Sequence, residues 1–136
     1  MEFKYIVEEG SFAKAGYASS EIKKILKQLN LPSKIVRKVV ISVFEAEVNI
    51  VAHAIDGEII LKLEQNLITV VVKDRGPGIE DIDKAMKEGY STASPKVREM
   101  GFGAGMGLPN IKKNCDRLNI DTELNVGTTL TIEIDF

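Results

Sequence analysis

Residues 3–7 alternate apolar and polar positions, the period of a short strand. Ser11 is a candidate N-cap for a helix over residues 12–29, in which Ile22, Ile25, Leu26 and Leu29 form one apolar stripe. The break Asn30-Leu31-Pro32-Ser33 ends it, and Pro32 or Ser33 starts a second helix running to about residue 54. That helix is apolar on most sides (Ile35, Val36, Val39, Val40, Val43, Phe44, Val48, Ile50, Val51), so it should be central to the fold. Asp56-Gly57 reads as a turn. Residues 58–64 and 67–73 then alternate as two strands joined at Gln65-Asn66, a hairpin. Asp74-Arg75-Gly76-Pro77-Gly78 should not continue the strand, and a short helix is expected over 80–88. Leu108-Pro109 opens a third helix to about residue 118, with strands over 120–124 and 128–136 meeting at Val126-Gly127.

The order β-α-α-β-β-(α)-α-β-β, with paired hairpins, predicts an α+β two-layer sandwich. Its sheet should be mixed and mostly antiparallel, with the helices on one face. A length of 136 residues argues for one domain spanning the chain. Apolar residues at 44% and charged residues at 28% exclude disorder and a collagen-like fibre. A net charge of -2, from 18 basic and 20 acidic residues spread along the chain, offers no footprint for nucleic acid. No apolar run approaches the ~20 residues that span a bilayer, and the N-terminus lacks a signal-peptide layout. Cys115 is the only cysteine, so no intrachain disulfide forms; it reads as an ordinary thiol on the third helix. These features fit a cytoplasmic protein.

Four groups of residues carry candidate chemistry. Glu45 and Asn49 are four apart on the apolar second helix and share a face. They cap loops or line a solvent edge; alternatively, Asn49 offers its carbonyl oxygen to Mg²⁺ and Glu45 accepts a proton. His53 follows at the same spacing and reads as structural polar packing. Asp74 ends the run Val70-Val71-Val72, so its carboxylate should lie in a crevice, able to accept from an exocyclic amine such as adenine's. Gly76 and Gly78 let the backbone turn and approach a ligand, although a plain turn has the same pattern. Residues 89–107 are rich in Gly, Ser and Thr and too long for an idle connection. They end in Gly101, Gly103, Gly105, Met106, Gly107 and Leu108, whose unshielded amides feed a helix N-terminus and suit phosphate. The run lacks the strand that a dinucleotide fingerprint must follow, and no Walker lysine follows it. Gly127-Thr128-Thr129 closes the last hairpin.

Together these elements resemble the GHKL ATPases: gyrase, the chaperone of that fold, histidine kinases and the mismatch-repair ATPase. Glu45-x-x-x-Asn49 resembles the N box, Asp74-x-Gly76-x-Gly78 the G1 box, Gly101 to Gly107 the G2 box, and Gly127-Thr128-Thr129 the closing threonine motif. Within that superfamily the chain resembles the small anti-sigma-factor and switch-protein serine kinases of bacterial partner-switching systems. The resemblance implies ATP and Mg²⁺ as cofactors, Asn49 on the metal, Glu45 as general base and Asp74 on the adenine amine. It further implies Thr129 in support of Asp74, and a lid over residues 89–107. As partners it implies a STAS-type protein, with a sigma factor and a homodimer also expected. Lys14 falls where some relatives carry an arginine that aids transfer, and it lacks the bidentate fork. Glu47 lies near the opposite helix face from Asn49, which leaves Glu45 as the base.

Overall fold

The computed structural model describes residues 1–8, 14–87 and 107–136. Its strands are β1 (Glu2–Glu8), β2 (Asp56–Glu64), β3 (Leu67–Arg75), β4 (Arg117–Glu123) and β5 (Gly127–Asp135). Its helices are α1 (Tyr17–Gln28), α2 (Ser33–His53), α3 (Ile82–Ala85) and α4 (Gly107–Lys113). The strands form one sheet in the order β1-β2-β3-β5-β4. Every neighbouring pair is antiparallel, so the expected mixed character is not found among the described residues.

Strand parity sets the two layers. Ile59 and Leu61 of β2, Ile68, Val70 and Val72 of β3, and Leu130, Ile132 and Ile134 of β5 are buried under the helices. Their neighbours in sequence, such as Thr69, Lys73, Thr131 and Glu133, take the opposite face. On the helix side α2 contributes Val36, Val39, Val43, Ile50 and Val51 to the same core. It touches α1, α4 and the strands β1, β2, β3 and β5, so the expectation of a central second helix holds. Ile22 and Leu26 of the predicted α1 stripe are fully buried. No helix among the described residues is long and apolar enough to cross a membrane.

The boundaries depart from the pattern reading where a distant partner decides them. The pair Asp56-Gly57 is strand, because it pairs with Arg75 and Asp74 on one side and with Glu8 and Val7 on the other. Arg75 also donates to both oxygens of Asp56 in a two-pronged ion pair. Asp74 and Arg75 therefore extend β3, and the chain turns only at Gly76. The third helix stops at Lys113 instead of 118, since residues 117–123 alternate strictly and pair with β5. Cys115 consequently lies after α4, half-buried against the core, and burial raises its thiol pKa. The short helix expected over 80–88 is confined to Ile82–Ala85, capped by the Asp81 side chain on the Lys84 amide.

Candidate functional site

Helix α2 is the spine of the site. From Glu45 to Ala54 it rises about 13 Å, and three parts of the chain meet it in order along that length. At the C-terminal end, Gly76 lies so close that a Cβ there would be 3.1 Å from Ala54 Cα. One turn earlier, a Cβ on Gly107 would be 2.9 Å from Asn49 Nδ2, so the start of α4 lies directly against the Asn49 carboxamide and a larger residue there would displace it. Another turn back, Asn110 Nδ2 donates to Glu45 Oε1 at 3.3 Å. Both Glu45 and Asn49 are half-buried on this shared face, as their spacing predicts.

Asp74 ends β3 on the helix side of the sheet, with the parity of Val70 and Val72. Its Oδ1 accepts from the Thr128 amide at 3.1 Å, and the same oxygen would be 3.5 Å from a Cβ on Gly76. Burial raises the Asp74 carboxyl above its ordinary value, and the Thr128 N–H partly offsets this. Burial likewise raises Glu45, with the Asn110 hydrogen bond opposing. His53, in the last turn of α2, has its pKa lowered by burial, which favours the neutral ring. Gly78 has φ 76, and a Cβ there would be 2.6 Å from the Glu123 carbonyl oxygen, so any other residue would strain the turn and strike the β4–β5 hairpin.

Two side chains differ from the sequence reading. Thr129 pairs with Lys73 on the far face of the sheet, so it cannot support Asp74. That position belongs to Thr128, which is buried, faces Asp74 across the ladder and shares a 2.9 Å hydrogen bond with the Thr122 hydroxyl. The signal was present in β5: Thr128 has the parity of Leu130, Ile132 and Ile134. Glu47, set aside as a base, proves to be a cap. It is 2% exposed, and its carboxylate accepts from the amides of Gly16 (3.1 Å), Ala18 (3.0 Å) and Ser19 (3.1 Å). These amides open α1, whose own N-cap position, Gly16, is left-handed and has no capping side chain. The helix therefore starts at Tyr17 rather than 12.

Ser11 and the glycine run Gly101, Gly103, Gly105 and Met106, with the expected lid over 89–106, lie outside the described residues. Leu108 is buried as the first core contact of α4. Lys14 is exposed just before α1 and lines a concavity that includes Glu47 but not Asn49. That concavity, of about 880 Å³, opens between Lys14, Tyr17 and Phe44. Glu8 and Lys14, which flank residues 9–13, border it, and neither Glu45 nor Asn49 is among its lining residues.

Comparison with known proteins places the chain among ATPases of one fold. Residues 12–134 match the histidine kinase-like ATPase domain family. An anti-sigma F factor from Clostridium acetobutylicum is 29% identical over 145 aligned positions, covering 100% of this chain and 93% of that protein. The serine/threonine-protein kinase RsbT of Bacillus subtilis is 26% identical over 112 residues, covering 79% of this chain and 78% of RsbT. Among solved structures, a mycobacterial sensor histidine kinase, MprB, superposes with a TM-score of 0.56 at 14% identity, covering 99% of this chain and 97% of that one; it shares the fold. With a family match over residues 12–134 and an antiparallel sheet packed against its helices, this chain belongs to the histidine kinase-like ATPase family.

Proposed function

We propose that the chain is a single-domain, ATP-dependent protein serine/threonine kinase of a partner-switching system. It would transfer the γ-phosphoryl group of Mg-ATP to a hydroxyl of a STAS-type partner protein, as a cytoplasmic homodimer. The observation that carries this reading is the order of groups along α2: Gly76, with the Asp74 carboxylate near it, beside Ala54, Asn49 beside Gly107, Glu45 beside Asn110. A nucleotide laid along the helix places its base amine at Asp74 and its phosphates toward Glu45. The kinase named among the relatives supports the same reading.

Asn49 and the Asp74 end of the groove fit the cofactor pair by the chemistry of their donors. Asn49 offers one neutral amide oxygen, the kind of ligand that Mg²⁺ takes alongside phosphate and water. When bound, Mg²⁺ would neutralise charge on the β- and γ-phosphates. Asp74 orients the base through Oδ2 while Thr128 fixes its other oxygen. Glu45 accepts the hydroxyl proton as the acceptor oxygen bonds to the γ-phosphorus and the bond to the bridging oxygen of ADP breaks. Its burial lifts the carboxyl pKa toward neutrality, which strengthens it as a base.

An alternative keeps the same site and drops the chemistry: an ATP-gated module that sequesters a sigma factor or other regulator. The anti-sigma names of several relatives favour it. Incubating the chain with Mg-ATP labelled on the γ-phosphate and purified STAS-domain proteins separates the two. Label on an acceptor serine or threonine supports the kinase; a nucleotide-dependent complex without label supports sequestration.

The Asp74→Asn variant is expected to bind Mg-ATP about 10- to 100-fold more weakly, because an amide donor would face the adenine amine. Its stability should move the other way. A carboxyl whose folded pKa lies above its unfolded value of 3.8 favours folding only when protonated. That contribution is complete below 3.8 and lost as pH rises through the raised value. Native and variant chains should therefore differ little in Tm at pH 3, with the variant the more stable at pH 7. Calorimetry and thermal melts at both pH values measure each half.

A further inference from the structure

Asn110 lies in the middle of α4, between the buried Pro109 and Ile111. Neighbours that pack into the core fix the helix, so the half-buried Asn110 side chain has little freedom to choose its partner. It gives Nδ2 to Glu45 Oε1 at 3.3 Å, across 65 residues of sequence. The turn itself is held from the other side, where Asn114 Nδ2 donates to the Asn110 carbonyl at 2.8 Å. Glu45 has three rotatable side-chain bonds and, half-exposed on α2, would otherwise sample several rotamers. A fixed donor on one oxygen selects one of them.

We infer that Asn110 is a positioning residue for Glu45: its carboxamide holds Oε1, leaving Oε2 as the oxygen that takes the proton of the acceptor hydroxyl. The inference rests on the kinase reading above. Since α4 starts at Gly107 against Asn49 and reaches Glu45 at Asn110, one short helix aligns both side chains of the α2 face. Any displacement of α4 along α2 would disturb the base and the amide together.

The test compares Asn110→Ala, Asn110→Gln and Asn110→Asp with the native chain. Transfer of label from γ-labelled Mg-ATP to purified STAS-domain proteins is measured with kcat and KM for Mg-ATP separated. Asn110→Ala is expected to lose about tenfold in kcat, equivalent to about 1.4 kcal/mol, with KM within about twofold of native. Asn110→Gln keeps a donor and should regain part of the loss. Asn110→Asp has the shape of asparagine but sets a carboxylate against a carboxylate, so it should fall below Ala. A packing role alone predicts the opposite order, with Asp near native. In the nucleotide-free chain, the Asn110 side-chain amide resonances should also shift in Glu45→Gln. Phosphate transfer at the native rate by all three variants overturns the inference and spares the kinase reading, as does a raised KM with unchanged kcat. Unmoved amide resonances overturn the contact itself. A native chain that phosphorylates no acceptor overturns both readings.

Discussion

Glu45→Gln is expected to lose about 10²- to 10⁴-fold in phosphoryl transfer while binding Mg-ATP within about twofold of native. Glutamine preserves the size of the side chain, and its carbonyl oxygen can still accept from Asn110, so the α2–α4 contact should survive. What disappears is an acceptor for the hydroxyl proton. The other nearby carboxylate on the helix is not a substitute. Glu47 is buried beneath α1 with three backbone amides on its oxygens, and reaching a substrate would require breaking all of them. Asp74 is at the opposite end of the groove, nearly the length of α2's second half away. Calorimetry should thus show near-native heat for the variant while labelled acceptor falls toward background. A loss smaller than about threefold would remove Glu45 from proton transfer and leave positioning and charge neutralisation to do the whole of the chemistry.

Elements whose governing period is local are legible in the sequence, and those decided by a distant partner are not. The stripe Ile22, Leu26 and the apolar α2 are helical patterns confined to a single element, and both were legible. The pairing of Glu45 with Asn49 needed only the helix period. The Gln65-Asn66 turn was legible too, since Asn66 takes the left-handed conformation that asparagine tolerates, with φ 64. By contrast, Asp56-Gly57 has the composition of a turn, and only Arg75 and Asp74 on the next strand and Val7 and Glu8 on the first make it strand. The choice of Thr129 over Thr128 was avoidable, because the parity of β5 was visible in its alternation. Neither the Asn110–Glu45 contact nor the Glu47 cap could be found without the fold, for their partners are 65 and about 30 residues away.

The Glu47 cap carries the largest stability prediction. Glu47→Ala should destabilise the chain by about 3–5 kcal/mol, since each of three amides loses the acceptor it has among the described residues. The two most enclosed amides, of Ala18 and Ser19, account for most of this; Gly16 is half-exposed and can recruit water. The loss corresponds to roughly 150- to 4,000-fold in the folded-to-unfolded ratio and to about 10–17 °C in Tm for a domain of this size. Glu47→Gln retains one oxygen acceptor, so its loss should be about half as large. The effect should also be local before it is global. Gly16 is left-handed and has no capping side chain of its own, so without Glu47 the first turn is held by the packing of Ala18 and Ile22 and by the Ser19 hydroxyl and Ser20 amide on the Gly16 carbonyl. Amide exchange at Ala18 and Ser19 should accelerate well before that of Ile22 and Leu26. Urea unfolding of Glu47→Ala should show a lower midpoint with an unchanged slope. A loss below about 1 kcal/mol would mean that the carboxylate does not hold α1 in solution, and that the helix is fixed to α2 by its apolar stripe alone.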